Sequence, residues 1–260
     1  MNNTKIEWAD MTWNPLTGCY HGCSYCYAKR MAERFASKDP EAMKKAWGQE
    51  GSVLVLDAPY VYDGKFEPYP YGFLPTFHTH RLHDLEKIRE PKKVFVCSMA
   101  DLFGAWVPDW IISMVFEACR RSPQHKYLFL TKNPARYDDL IDEGFLSAED
   151  ENFWLGSTVT DLSRPSHWNT ENHTFWSCEP LMAPWPERPV DPNHRKFFPE
   201  WVILGAETGN RKGKVVPEKS WVDNIVHKCC DMGTAVFMKD SLIPVVGEDE
   251  MRREFPEGLV

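Results

Sequence analysis

The sequence predicts an α/β protein: βα units around a parallel sheet, in a partial barrel of about seven mainly parallel strands. Three observations carry this expectation. From residue 94 onward short apolar runs recur at spacings of roughly 20 to 35 residues, the length of a βα unit. Stretches of helical period separate them. The chain is 260 residues long and 43% apolar, enough to bury one core, with no repeat or Gly/Ser linker to divide it. A single domain over residues 1–260 is therefore expected, with a long irregular insertion over about residues 38–93, after the first βα unit.

Taken in order, the first strand is expected to end near Thr17, just before the first cysteines. A helix over residues 27–37 follows, with Ala28, Met31, Ala32 and Phe35 facing inward. The insertion is rich in Pro (Pro59, Pro68, Pro70, Pro75) and Tyr (Tyr60, Tyr62, Tyr69, Tyr71), and loops of such length usually bind or gate something. The later strands are expected over residues 94–98, 127–131, 153–158, 174–178, 201–205 and 235–239. Pro108 opens a helix whose inner face carries Trp110, Ile111, Met114, Val115, Ala118 and Cys119 until Pro123. Pro217 opens another, which buries Trp221, Val222, Ile225, Cys229 and Met232 and stops at Gly233.

Composition bounds the function. Lys and Arg number 30 against 38 Asp and Glu, a formal charge of −8, so the chain as a whole does not attract phosphate backbones. A nucleic-acid contact would need a local basic patch. No apolar stretch approaches the roughly 18 to 20 residues of a membrane span. Lys5, Glu7 and Asp10 interrupt the start where a secretory signal is apolar, so a cytoplasmic protein is expected. In a reducing cytosol the eight cysteines stay free thiols, and metal or redox chemistry becomes the question.

The decisive segment is Gly18-Cys19-Tyr20-His21-Gly22-Cys23-Ser24-Tyr25-Cys26-Tyr27, with thiols spaced Cys-x3-Cys-x2-Cys. A disulfide between any two would be strained and would strand the third. Three thiolates so close converge around a metal or a cluster. Zinc asks for four ligands, and His21 could be the fourth only from inside the same tight loop. A cubane iron–sulfur cluster held by three thiolates instead leaves one iron open to a small molecule. A structural zinc knuckle is the plain alternative. The His78-Thr79-His80-Arg81-Leu82-His83 run reads as solvated or hydrogen-bonded histidines, and Cys119 and Cys229 as small core residues.

Polar residues close each apolar run, where the active sites of barrels lie. Ser98-Met99-Ala100-Asp101, Thr131-Lys132-Asn133, Ser157-Thr158, Cys178-Glu179-Pro180, Gly205-Ala206-Glu207 and Lys239-Asp240 stand there in turn. Singly, each is as well read as a cap or turn residue.

Through Cys19-x3-Cys23-Ser24-Tyr25-Cys26, with the aromatic Tyr25 before the last cysteine, the chain resembles the radical S-adenosylmethionine (SAM) superfamily. Nearly the whole chain is similar to a phage- and bacteria-associated radical SAM family of unknown activity, distantly similar to spore photoproduct lyase. The likeness runs through Ile6-Glu7-Trp8, Thr12-Trp13-Asn14-Pro15, Ser98-Met99-Ala100-Asp101-Leu102-Phe103 and Leu130-Thr131-Lys132. It continues through Ser177-Cys178-Glu179-Pro180-Leu181 and Gly205-Ala206-Glu207-Thr208-Gly209. Ala206 replaces a more usual second glycine, and Cys97 a small polar residue.

The resemblance implies a partial (β/α)6-type barrel and a 4Fe-4S cluster on Cys19, Cys23 and Cys26. The open iron would bind the amino and carboxylate groups of SAM, and one electron would cleave SAM to methionine and a 5′-deoxyadenosyl radical. It implies further that Tyr25, Ser98, Met99, Asp101, Thr158, Glu179 and Gly205 bind the cofactor, Ser98 to Asp101 at the SAM amino group. Lys132, Glu207 and Lys239 are the candidates for binding substrate or moving protons. An electron donor such as flavodoxin or ferredoxin is implied, with a nucleotide or nucleic-acid base as substrate. Arg211-Lys212-Gly213-Lys214 is the basic patch for its phosphate. The competing reading is a non-catalytic zinc- or cluster-bearing interaction module.

Overall fold

Parallel strands buried on both faces are written as unbroken apolar runs, and that is how the sheets of this chain are built. The computed structural model describes residues 2–49, 51–161, 171–186 and 198–260. Two compact units divide the chain, Met1–Thr131 and Lys132–Val260.

The first unit runs β1 (Asn2–Asn3), β2 (Met11–Trp13), β3 (Leu16–Thr17), α1 (Tyr27–Arg34), α2 (Pro40–Ala46) and β4 (Leu54–Leu56). It continues β5 (Val61–Tyr62), β6 (Lys65–Phe66), β7 (Thr76–His78), β8 (Lys93–Val96), α3 (Asp109–Arg120) and β9 (Lys126–Thr131). β2, β8 and β9 are parallel neighbours, with Trp13 opposite Val96 and Val96 opposite Phe129. β1 is an antiparallel edge on β2. A second small sheet joins β3 antiparallel to β7 and β7 parallel to β4. The stretch expected to be an irregular insertion thus holds a helix, short strands and the β5–β6 hairpin.

Three expectations change here. The strand that joins the parallel sheet is β2, and Leu16–Thr17 belongs to the small sheet. Pro15 separates them: it has no N–H for a ladder, and its carbonyl instead accepts from His78 N at 2.7 Å. α1 ends at Arg34, with Ala28 and Ala32 buried but Met31 43% and Phe35 52% exposed. Met31 precedes Ala32 by one residue and so points about 100° away from it. In α3 the buried face is Ile111, Ile112, Val115, Phe116, Ala118 and Cys119. Trp110 and Met114 lie outside it, Trp110 edge-on to Phe77 at 5.7 Å. Phe116 meets Phe129 edge-on at 5.4 Å and fastens the helix to β9. Each such buried ring contributes about 1.5–3 kcal/mol.

The second unit runs α4 (Ala135–Asp142), β10 (Phe153–Thr158), β11 (His173–Cys178), β12 (Trp201–Leu204), α5 (Lys219–Met232), β13 (Ala235–Met238) and α6 (Ile243–Val246). Its four strands are parallel in the order β10-β11-β12-β13, with Thr158 opposite Ser177, Cys178 opposite Leu204, and Leu204 opposite Met238. α5 lays Val222, Ile225 and Cys229 into a core with Val202, Leu204, Val236 and Met238. Gly233 ends it at φ 68°, a left-handed cap open to glycine at no steric cost, as its position after Met232 predicts. Trp221 sits partly buried at the edge of that core.

Seven parallel strands are thus present among the described residues, three in the first unit and four in the second, and the α/β expectation holds. No helix among the described residues is long and apolar enough to cross a membrane.

Packing between β10 and β11 leaves no room at Gly156, where an added Cβ would lie 2.2 Å from Cζ of the fully buried Phe175. Gly156→Ala is expected to lower stability by about 1–3 kcal/mol, read as a fall in the urea midpoint.

Candidate metal and cofactor site

The cysteine segment leaves β3 at Gly18. Its φ is +85°, and a Cβ there would fall 2.3 Å from the Leu74 carbonyl oxygen, so only glycine fits. Gly18 N donates to Met99 O at 2.9 Å and Cys19 N to Phe73 O at 3.3 Å, which ties the loop's start to the residues after β8 and to those just before β7. At its other end Cys26 is the N-cap of α1, and its Sγ accepts from Lys29 N at 3.3 Å. Cys19 Sγ accepts from His21 N at 3.5 Å. None of the three cysteines is in a disulfide, and all three are half-buried, as is Tyr25.

Thiolate donors that accept backbone N–H bonds are the chemistry an iron–sulfur cluster uses, since such bonds tune its potential. By donor type the loop fits a cluster. Its side chains are not gathered on one point, however: among the described residues no three His, Cys, Asp or Glu side chains form a group that could hold a metal ion. That covers the His78–His83 run also. His78 is fully buried beside Thr17 Oγ1 at 2.9 Å, and burial pushes its pKa down to about 2, so it is neutral.

The segment after β8 is built around two side chains. Asn14 Oδ1 accepts from Met99 N at 3.0 Å and from Ser98 Oγ at 3.2 Å, which fixes the Ser98–Met99 turn. The Tyr27 hydroxyl donates to Ser98 O at 2.7 Å. Cys97, just before, holds a left-handed φ of 58°, and burial pushes its thiol up to about 12. Asp101 is buried, and both its oxygens are engaged. Oδ1 accepts from Thr131 Oγ1 at 2.7 Å and Phe103 N at 3.1 Å; Oδ2 meets His21 Nε2 at 2.7 Å. A ligand amino group would share these oxygens with the protein. Met99 is buried against Ala28 and Ala32, so its part in any cofactor contact falls to its backbone.

Of the expected site residues, Cys19, Ser98, Met99 and Asp101 therefore lie in one network with Gly18, His21 and Asn14; Cys26 adjoins it as the cap before Tyr27, and the Cys23 carbonyl accepts from Cys26 N at 3.1 Å. Asn14 and Tyr27 join this network although neither is among the residues expected at the site. Asn14 follows Trp13 and only declares itself through contacts 84 and 85 residues away.

In the second unit Lys239 Nζ is ion-paired with Glu179 Oε1. Gly205 makes room for the pair: a Cβ there would stand 3.1 Å from Glu179 Cγ and 3.3 Å from Lys239 Cδ. Ser241 Oγ accepts from the following N–H, of Ala206, at 3.0 Å. Glu207 is clamped by Arg211 through two 2.6 Å bonds, and that guanidinium holds its carboxyl below the usual carboxylate range. The clamp commits both groups to the 207–211 loop. Glu207 is therefore ionised at neutral pH, and Arg211 shares its donors with it before any phosphate. Thr158 is buried, and its hydroxyl has no partner among the described residues. Lys132 is half-buried directly after β9.

Fold and site together describe an α/β protein with a tri-cysteine loop hydrogen-bonded to the end of a parallel strand. The chain belongs to the family whose model, described as a protein of unknown function (DUF5131), matches residues 3–242. No curated protein and no solved structure matches it.

Two outcomes follow from this geometry. Gly205→Ala should push Glu179 and Lys239 apart, so that Lys239 becomes more reactive to acylation by a few-fold, measured by peptide mapping; an unchanged rate contradicts the packing. His78 cannot take a proton when folded but does so near pH 6.5 when unfolded. Stability is therefore complete above about pH 6.5 and falls as pH drops below it, by up to about 1.4 kcal/mol per pH unit. Urea titrations at pH 7 and 5 should show the loss, and His78→Gln should reduce it.

Proposed function

We propose that the chain is a radical SAM enzyme, in which Cys19, Cys23 and Cys26 hold a 4Fe-4S cluster and the turn from Ser98 to Asp101 receives the amino group of SAM. One observation carries the reading: the Cys-x3-Cys-x2-Cys loop is hydrogen-bonded, through Gly18, His21 and Tyr27, to the residues that follow a parallel strand. When bound, the cluster supplies one electron to SAM and yields methionine and a 5′-deoxyadenosyl radical, which takes hydrogen from a substrate. The chain's own part is positioning. Gly18 and the Cys26 cap fix the two ends of the loop; the Ser98 carbonyl, which accepts from Tyr27, and the Met99 carbonyl, which accepts from Gly18, set the adjoining wall in the turn that Asn14 fixes.

A partial (β/α)6-type barrel in which the segment around 38–93 closes over the site belongs to the same reading. So does a nucleotide or nucleic-acid base as substrate, for modification or repair. The Glu179–Lys239 pair beside Gly205 is the second unit's candidate for a polar substrate group, with Lys132 and Thr158 as further polar side chains.

The competing reading is a non-catalytic zinc-bearing module, and the His21–Asp101 pair favours it. A carboxylate behind a histidine is the usual second layer of a zinc site, and with Nε2 so engaged His21 Nδ1 would be the fourth donor. Anaerobic loading with iron and sulfide separates the two. A brown protein that forms 5′-deoxyadenosine from SAM and dithionite is expected, with Cys23→Ala losing both iron and cleavage by at least about 100-fold. A colourless protein carrying one zinc, which His21→Ala releases, overturns the enzyme reading.

A further inference from the structure

A charge held partly out of water is stable only where a partner or solvent compensates it, so each half-buried cation needs an accounting. Arg81 is the case that does not close. It stands in the turn after β7, partly buried, and Trp13 Nε1 donates to its carbonyl at 3.0 Å, which fixes its backbone. Its guanidinium donates from Nη1 to Asn14 O at 2.8 Å. That uses one of five donors, and among the described residues no carboxylate pairs with it. Asp84, the nearest acid along the chain, is held by Lys87 at 2.7 Å. Burial pushes the Arg81 pKa down, the direction of a cation short of a counter-charge. A second donor stands nearby. Asn14 holds the Ser98–Met99 turn through Oδ1, and the Tyr69 ring packs on the cluster of Met99, Ala28 and Ala32. The Tyr69 hydroxyl has no hydrogen-bond partner among the described residues, and the Arg81 charge opposes the upward push of burial on it.

We infer that Arg81 anchors a binding site for the carboxylate of a small molecule, with the Tyr69 hydroxyl as second donor. With Nη1 engaged on Asn14 O, the nitrogens left are Nε and Nη2, which share one edge of the planar group. That edge grips a carboxylate through two parallel bonds. The Trp13 bond to the backbone and the Asn14 bond to the head hold the edge in place before any ligand arrives. A purely structural clamp on the Asn14 carbonyl is the plain alternative, but a single neutral N–H satisfies a carbonyl and leaves no charge to compensate. Phosphate is the other oxyanion that suits the fork. One cation and one neutral hydroxyl balance a single negative charge, and Asp84, close enough to act on Arg81, repels a dianion more than a monoanion. The inference rests neither on the cysteine loop nor on a metal. The radical SAM reading gives the SAM carboxylate to the open iron, so the Arg81 site takes that of a different molecule.

Phenylglyoxal, which modifies accessible guanidinium groups, reads the site in the wild-type protein without any activity. With ionic strength held constant by chloride, saturating acetate should slow modification of Arg81 at least about threefold, located by peptide mass spectrometry. Arg30 and Arg34, exposed on α1, serve as the unprotected reference. Inorganic phosphate should need a higher concentration for the same protection. Tyr69→Phe keeps the ring and should raise the half-protecting acetate concentration several-fold, with a circular dichroism melt to check that the variant folds. The inference is overturned if Arg81 is not modified at all, or is protected no more than Arg30 and Arg34. Stronger protection by phosphate than by acetate, or an unchanged half-protecting concentration in folded Tyr69→Phe, overturns it equally. So does protection by SAM without protection by acetate, which would give Arg81 to SAM itself.

Discussion

Asp101 places a carboxylate where water does not reach, and the first unit's candidate site is organised by the need to satisfy it. Its partners come from three stretches of chain: His21 in the cysteine loop, Thr131 at the end of β9, and the N–H of Phe103 two residues on. Leaving a buried acceptor without its donor costs about 1–3 kcal/mol, so these bonds hold the loop, the turn after β8 and the end of β9 in one arrangement. That constraint also gives His21 a fixed place beside the cysteine loop.

The parallel strands of both units were readable because both faces are buried, so periodicity reduces to runs of apolar residues bounded by turn signals. Phe153–Thr158 and Trp201–Leu204 stand almost where those runs do. Helix ends marked by glycine were readable for the same local reason, as at Gly233. Less legible was anything set by distant contacts. Met31 and Phe35 have core-type side chains, yet the seat of α1 is only wide enough for Ala28 and Ala32 against Met99, Tyr69 and Phe73. Pro15 broke the first strand, and no pattern within residues 11–17 says that the second half pairs with Thr76–Phe77.

The site residues divide along the same line. The three cysteines announce themselves by spacing, and Ser98 to Asp101 by following a strand. Arg211 is the opposite case. As sequence it belongs to a basic patch, whereas in space it closes on Glu207 four residues earlier, and the two charges largely cancel for any third party. Lys239 and Glu179 are sixty residues apart, and as sequence they read as a catalytic candidate and a cofactor contact, whereas in space they pair with each other where Gly205 leaves room. A pair so formed offers a ligand one donor and one acceptor at a fixed separation, a recognition element more than a proton carrier.

What remains is why the sulfurs of the loop are not already drawn together. Gly18 cannot be replaced without striking the Leu74 carbonyl, and Cys26 is bound into the first turn of α1, so both ends are rigid. Between them Gly22, at φ +68°, has open space where its Cβ would be. Three thiolates converged without a metal would repel one another; under the cluster reading proposed above, a loop with fixed ends and open space at Gly22 avoids that cost until bound metal supplies the compensating charge.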